Sequence, residues 1–349
     1  MSDDNIKARK DSHLDLAFNP ALQSTKPTGF DRVFLTHQAL PEMAMADVDM
    51  SAQLLDKPIS MPLLIGAMTG GTPRGEAINR HLAQMAQRHG LPLAVGSQRA
   101  AIMQGQSSDL RDYAETVPLI ANIGGLQLLE KDGLEMAQAA VDMLQADALF
   151  IHLNPLQEAV QPEGGQNWYG LKAAIHALVQ TLPCPVMVKE VGAGLSAYVV
   201  EQLYDCGVRY FDVAGLGGTN WTQIEQARLS PAEAEIYAPF AEWGIATVDG
   251  VQAIHAVRGR FKDMTLIASG GVRHGLDVVK AIWLGADLCA AAYPFLQAVM
   301  NQPETDDAAI RQALDDMVTK WQMQIRLALF LTGAKTIAAI PQIEGRVLP

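Results

Sequence analysis

Residues 265–291 read TLIASGGVRHGLDVVKAIWLGADLCAA. Two short apolar runs, Thr265–Ala268 and 287–291, enclose a glycine-rich turn and a stretch long enough for one helix. Apolar runs without polar alternation fit parallel strands buried on both faces, and parallel neighbours need a crossover, usually a helix. The stretch therefore reads as strand, loop, helix, strand.

The same unit recurs toward the N-terminus. Apolar runs at 62–68, 91–95, 117–121, 148–153, 185–190 and 208–214 bring the count to eight, with starts 22 to 57 residues apart. Eight such units in one chain predict a closed (β/α)8 TIM barrel. The other arrangement of these units, an open doubly wound sheet, lacks its GxGxxG sign after an early strand. Between the first two runs, 74–89 places Ile78, Leu82, Met85 and Ala86 on one helical face, with Pro73 in the first turn and Gly90 at the end. The chain of 349 residues is expected to be a single domain. It divides into a polar N-terminal segment (1–61), the barrel (62–300) and a C-terminal helical extension (301–349). Within the extension, 306–331 carries apolar residues at Ile310, Leu314, Met317, Trp321, Ile325 and Leu329, a face better suited to packing inside the chain than to an oligomer contact.

Composition narrows the function classes. Lys and Arg total 26 against 38 Asp and Glu, a net charge of −12 that opposes nucleic-acid binding. Cys184, Cys206 and Cys289 are scattered without CxxC spacing, so neither a disulfide framework nor a thiolate zinc site is expected, and a reducing cytoplasm is the simplest compartment. The sequence has no signal-type leader and no apolar run long enough to span a membrane, so the protein is expected to be neither secreted nor membrane-spanning.

In a barrel of this kind the chemistry gathers at the rim where the strands end. The loops there read Met68-Thr69-Gly70-Gly71, Gly96-Ser97-Gln98-Arg99 and Asn122-Ile123-Gly124-Gly125. Their small residues let a flat ligand lie against backbone, with Thr69, Ser97 and Asn122 offering hydrogen bonds; a tight capped turn explains any one of them alone. After the fourth run, Asn154, Gln157, Glu158 and Glu163 supply the hard oxygens that suit Mg²⁺ with substrate phosphates, while His152 alone reads as a satisfied buried histidine. Lys189 ends the fifth run, where an unpaired lysine is costly to bury, so an anion or electron-rich ligand is expected beside it. Gly215–Gly218 can wrap a ligand, with Thr219 as a hydroxyl and Trp221 as an apolar wall or as simple packing. The loops after strands seven and eight, Ser269-Gly270-Gly271-Val272-Arg273 and Ala291-Ala292-Tyr293, form the usual phosphate site of such barrels. A phosphate there, small polar residues around the rim and a lysine on strand five match flavin mononucleotide (FMN) better than a nicotinamide dinucleotide.

Taken in order, Arg9-Lys10-x-x-His13, MTGG (68–71), GSQR (96–99), HLNPLQE (152–158), QPEG (161–164), GGTNW (217–221) and SGGVR (269–273) resemble the type 2 isopentenyl diphosphate isomerases. The likeness covers about residue 7 to residue 340. It implies interconversion of isopentenyl and dimethylallyl diphosphate with reduced FMN and Mg²⁺, without net redox, in isoprenoid biosynthesis. It also implies a homotetramer or homooctamer. By the matched motifs Ala67, Met68, Thr69, Ser97, Asn122, Lys189, Thr219, Gly271, Val272, Arg273, Ala292 and Tyr293 bind FMN. Arg9, Lys10, Ser97, Gln98, Arg99 and Gln157 hold substrate, and Glu158 binds Mg²⁺. Ser12 and Gly165 depart from the family pattern, where acidic residues are expected, but neither is a proposed ligand.

Isomerisation adds one proton to an unactivated alkene and removes another, and no side chain here is an obvious acid strong enough. The expectation is that N5 of reduced FMN handles one proton while Gln157 and His152 are the catalytic candidates for relaying the other. The N-terminal segment is expected to fold over the rim as a substrate flap. NADPH is the expected reductant, although no NAD(P) motif is visible. The rival readings are an FMN-dependent 2-hydroxy acid oxidase, whose His and Arg after strand six are replaced here by GLGGTNW, and a noncatalytic flavin-binding barrel.

Overall fold

A computed structural model describes residues 3–261 and 263–349, with side chains described from Lys10 onward. Eight parallel strands close into a barrel in sequence order: β1 (Leu63–Ile65), β2 (Leu93–Ala94), β3 (Leu119–Gly124), β4 (Ala148–His152), β5 (Val186–Lys189), β6 (Tyr210–Asp212), β7 (Thr265–Ala268) and β8 (Leu288–Ala291). Seven of the predicted apolar runs contain a whole strand, and the third, 117–121, covers the first half of β3.

One boundary needs correction. The apolar pattern ends the third run at Ala121 and puts Asn122, Ile123 and Gly124 in a loop. They belong to β3, because pairing with β4 continues through Asn122↔Phe150, Ile123↔Ile151 and Gly124↔His152. A polar residue and a glycine mask the continuation of a buried strand. At the other extreme β1 stops at Ile65, short of the expected Met68. Gly66 follows with φ +107°, and a Cβ there would lie 2.2 Å from the Ala94 carbonyl oxygen, so only glycine turns the chain this closely against β2.

Alternation along the strands separates two apolar regions. Leu64, Ala94, Ile120, Phe150, Met187, Ile267 and Leu288 fill the barrel interior, and Leu54 and Ile59 join them from the hairpin Ala52–Leu54/Lys57–Ile59. That hairpin plugs one end of the barrel, next to Asp147 at the start of β4, which accepts from Lys57 Nζ at 2.6 Å. Outward-facing residues such as Leu63, Leu119, Val188 and Leu266 pack under the helices.

The predicted helix at 74–89 is Pro73–His89, with Thr72 accepting from the Gly75 N–H and Ile78, Leu82, Met85 and Ala86 all buried. In the C-terminal region Asp307–Thr332 forms one helix, capped by Asp306 and Gly333, which buries Ile310, Leu314, Val318, Trp321, Ile325 and Leu329. It packs within the chain on Pro73–His89, Gly275–Trp283 and Tyr293–Met300. Met317 is only partly buried and Val318 takes its place on the core face. The chain ends clasp, with Val33–Leu35 pairing antiparallel to Gly345–Val347. Helix α1 (Asp3–Phe18) lies over the opposite end of the barrel from the hairpin plug, where the loops after the strands open into a cavity.

Candidate active site

The cavity has a volume of about 900 Å³ and is walled by the loops after the barrel strands together with α1. All twelve residues expected to hold a flavin line it: Ala67, Met68, Thr69, Ser97, Asn122, Lys189, Thr219, Gly271, Val272, Arg273, Ala292 and Tyr293. So do Lys10, Arg99, His152, Gln157 and Glu158. One expected substrate residue stands apart. Gln98 is buried outside the lining, its amide donating to the Ala140 carbonyl at 3.0 Å and accepting from the Asn122 N–H at 2.9 Å. It therefore braces β3 rather than facing the cavity. The Arg9 side chain lies outside the described residues.

At one end of the cavity the runs 215–218 and 269–271 pack backbone against backbone. A Cβ on Gly271, whose φ is +72°, would sit 2.3 Å from the Gly217 carbonyl oxygen. Exposed N–H groups from such turns suit a phosphate. Arg273 supplies the charge: its guanidinium lies over the Tyr293 ring, 4.7 Å from the centroid, and donates to Gln23 Oε1 at 3.1 Å. Thr219 Oγ1 donates to the same oxygen at 3.3 Å. Burial, the leading influence, draws the Arg273 guanidinium below its ordinary range, and an anion placed beside it would reverse that cost. Gln23 is a neighbour of these groups that sequence reasoning missed, since it lies 196 residues from Thr219 and 250 from Arg273 in the chain.

The floor is polar. Asn122 donates to the Val95 carbonyl at 3.0 Å, which turns its oxygen toward His152 Nδ1 at 2.8 Å. That oxygen accepts, so Nδ1 carries the hydrogen and Nε2 the lone pair. Burial first, then the charges of Lys189 and Lys10, lower the His152 pKa to about 3. This imidazole is neutral at physiological pH and cannot act as a standing acid.

The side wall is built on the short helix α2 (Pro155–Val160), whose first turn presents Gln157 and Glu158. Asn154 Nδ2 donates to both, at 3.1 Å each, and the Gly165 N–H donates to Glu158 Oε2 at 2.7 Å, drawing the 161–166 loop over this wall. Gln157 Nε2 in turn donates to Glu225 Oε1 at 2.8 Å. Glu225 lies in helix α3 (Trp221–Gln226), and its side chain is fully buried. It also meets His13 Nε2 at 3.1 Å and Arg228 Nη1 at 2.5 Å, and Arg228 reaches Glu163 at 3.3 Å. Burial alone would push this carboxyl up, but His13, Gln157 and Arg228 together hold it below the ordinary range. Sequence reasoning also missed Glu225; its only signal is its place four residues after Trp221, and Trp221 itself meets His13 edge to face at 5.5 Å.

Lys10 closes the mouth, donating to the Gly70 and Ser97 carbonyls at 2.6 and 2.7 Å. Arg99 pairs with Glu130 at 2.8 Å. Among the described residues no three His, Cys, Asp or Glu side chains converge on a metal position. The donor set at Glu158 fits a cation of the Mg²⁺ type, which commonly takes one or two protein carboxylates and completes its shell with water and substrate phosphate oxygens.

Comparison with known proteins fits this geometry. The chain is 44% identical over 348 residues to the isopentenyl-diphosphate delta-isomerase of Xanthobacter autotrophicus, covering 98% of both chains. It is also 44% identical to the enzyme of that name from Cronobacter sakazakii, over 97% of this chain and 96% of that one. This chain belongs to the isopentenyl-diphosphate delta-isomerase family. Residues 171–344 also match the family described as FMN-dependent dehydrogenase, so the isomerase-family barrel carries the second half of a flavin-binding fold. Among solved structures, a Pediococcus acidilactici lactate oxidase superposes with a TM-score of 0.69 at 13% identity, covering 99% of this chain and 94% of that chain. At that identity the likeness speaks for the barrel alone, and the oxidase reading of the sequence is not favoured.

Proposed function

We propose that this isomerase-family chain interconverts isopentenyl and dimethylallyl diphosphate, with FMN seated between the 269–273 loop and Lys189 and with Mg²⁺ held by Glu158. The observation that carries the reading is the Gln157 wall: a neutral amide fixed by a buried glutamate faces a cavity that also holds Lys10, Glu158 and the full set of flavin-type loops.

The side chains divide the work. A bound diphosphate brings about three negative charges into a protein of net charge −12, so local cations must offset the repulsion. Lys10 and Arg99 with the ion at Glu158 would do so, and Arg9 is the further cation the reading assigns to substrate. Lys189 would place positive charge beside a flavin bound in this cavity. FMN in its reduced form supplies, when bound, the proton donor that these side chains lack. Gln157 is positioned to hold or pass the second proton, its orientation set by Glu225 and Asn154. His152, neutral and tied to Asn122, orients the floor and is the lesser candidate for that transfer.

The same proposal includes the residues 1–349 acting as one domain, a homotetramer or homooctamer, a cytoplasmic setting and NADPH as reductant. Three free cysteines support a reducing compartment, and among the described residues no helix is long and apolar enough to cross a membrane. The test is anaerobic: protein with FMN, Mg²⁺ and isopentenyl diphosphate, assayed for dimethylallyl diphosphate with and without a reductant. Product that depends on reductant is expected. No product while the flavin is bound and reduced would overturn the reading.

A further inference from the structure

The interior side chains just above the apolar barrel plug form a polar layer, and the strand register shows which of them are neighbours. Gly124, His152, Lys189 and Asp212 are successive partners across β3, β4, β5 and β6. Registered residues on parallel strands point to the same face, so Lys189 and Asp212 both point into the barrel. Lys189 lines the cavity and is 7% exposed; Asp212 is 1% exposed and lies behind the lining. Its Oδ1 accepts from Ser269 Oγ at 2.5 Å and from the Ala214 N–H at 3.2 Å, and both of those residues line the cavity.

A buried lysine needs a counter-charge. Glu190, next in sequence, is committed elsewhere: it lies on the opposite face of the strand, and its Oε2 accepts from the N–H groups of Val191, Gly192, Ala193 and Gly194. Its carbonyl accepts from Lys189 Nζ, and although the Lys189 charge also draws its carboxyl down, that carboxyl is already held by these four N–H groups. Asp212 is the carboxylate that remains on the inner face. Burial, the leading influence, leaves the Asp212 carboxyl above its ordinary range, although Lys189, the Ser269 hydroxyl and the Ala214 amide pull the other way.

We propose that Asp212 is the counter-charge of Lys189 beneath the flavin ring, a positioning residue that limits how strongly Lys189 favours negative charge on the reduced cofactor. The inference rests on the reading of the cavity as an FMN site. When ionised, a carboxylate buried behind the cavity lining opposes the charge that reduction adds to a flavin there, and burial amplifies the opposition. Lys189 and Asp212 thus act with opposite signs on the flavin potential, which a packing role for either would not produce.

The experiment is potentiometry of the FMN-bound full-length protein. Asn at 212 keeps an oxygen for Ser269 and Ala214, so Asp212→Asn removes the charge and leaves the loops held. The expected result is a midpoint potential raised by about 30 mV or more, a tenfold shift in the two-electron equilibrium, with oxidised FMN bound as before. Lys189→Met is expected to shift the potential the other way. An unchanged potential in Asp212→Asn with FMN bound would overturn the proposal. If that variant loses FMN, Ser269→Ala replaces it: stripping a donor from the carboxylate favours its protonation, and a smaller rise is expected. No rise in Ser269→Ala, or loss of FMN there too, overturns the proposal and leaves Asp212 a packing element. Opposite-signed shifts in the two variants, with a wild type that binds FMN yet forms no dimethylallyl diphosphate, refute the isomerase reading and support the charge pair.

Discussion

Gln157 donates its amide N–H to a carboxylate oxygen of the fully buried Glu225 at 2.8 Å, so a side chain that lines the cavity is oriented by one that does not. Because His13 of α1 meets the same carboxylate, α1 and the side wall share one anchor.

Replacing Glu225 with Gln preserves shape but removes the charge that fixes the amide. Turnover should fall by about a hundredfold or more, the scale of a lost proton-transfer arrangement, while FMN content after gel filtration stays at the wild-type level, since Glu225 lies outside the cavity lining. Gln157→Leu should behave alike; equal losses of turnover and FMN in either variant would mark the pair as structural. The pH dependence has a definite sign. The Glu225 carboxyl is held below its ordinary 4.5, so its contribution to stability is complete above that pH and is lost as pH falls through the folded value. The difference in unfolding free energy between wild type and Glu225→Gln should therefore shrink on acidification below pH 4.5.

His152 carries the opposite kind of group. Its imidazole, ordinarily near 6.5, is lowered to about 3 by burial and by Lys189 and Lys10. Between those values the unfolded chain binds a proton that the folded one refuses, so stability declines as pH falls from 6.5 toward 3, by about 1.4 kcal/mol per pH unit at most. Urea unfolding at a series of pH values should show this slope in the wild type and a shallower one in His152→Gln. Identical slopes would show that His152 titrates normally.

The barrel is readable because each buried parallel strand is an apolar run, and the cofactor loops because glycine and a lone arginine at a strand end have few other uses. Asn122 is misplaced for the same reason: inside a strand, a polar residue looks like the strand's end. Gln23 and Glu225 escape for a different one. Each acts through contacts made only after the chain closes, Gln23 with Arg273 and Thr219, Glu225 with Gln157 and His13. Local pattern carries no trace of such pairings. Lys10 and His13 stand out only as part of a family motif, and their polar stretch gives no sign that α1 is a helix.

Gly271 tests the phosphate loop. With φ at +72° and only 2.3 Å between a Cβ at this position and the Gly217 carbonyl oxygen, alanine has no room unless the two glycine runs are prised apart. Gly271→Ala should lose most of its bound FMN, seen in the flavin absorbance of purified protein, while far-ultraviolet circular dichroism remains that of the barrel. Full flavin occupancy in this variant would move the phosphate elsewhere.

On the proposed reading, Lys10 links substrate charge to α1. Its ammonium rests on the Gly70 and Ser97 carbonyls at the cavity mouth, 2.6 and 2.7 Å away, where a diphosphate can compete for it. A charge-assisted contact of this kind contributes about 1.5–3 kcal/mol, so Lys10→Met should raise KM for isopentenyl diphosphate by roughly tenfold to a hundredfold and leave FMN binding intact. Substrate that recruits Lys10 also holds α1 down, and His13 on Glu225 extends the hold along the helix. Limited proteolysis within residues 1–20 of the FMN- and Mg²⁺-loaded protein should accordingly slow when isopentenyl diphosphate is added, and slow less in Lys10→Met. Cleavage at the same rate with and without substrate would mean that α1 is a fixed wall of the cavity and that Lys10 binds diphosphate without moving it.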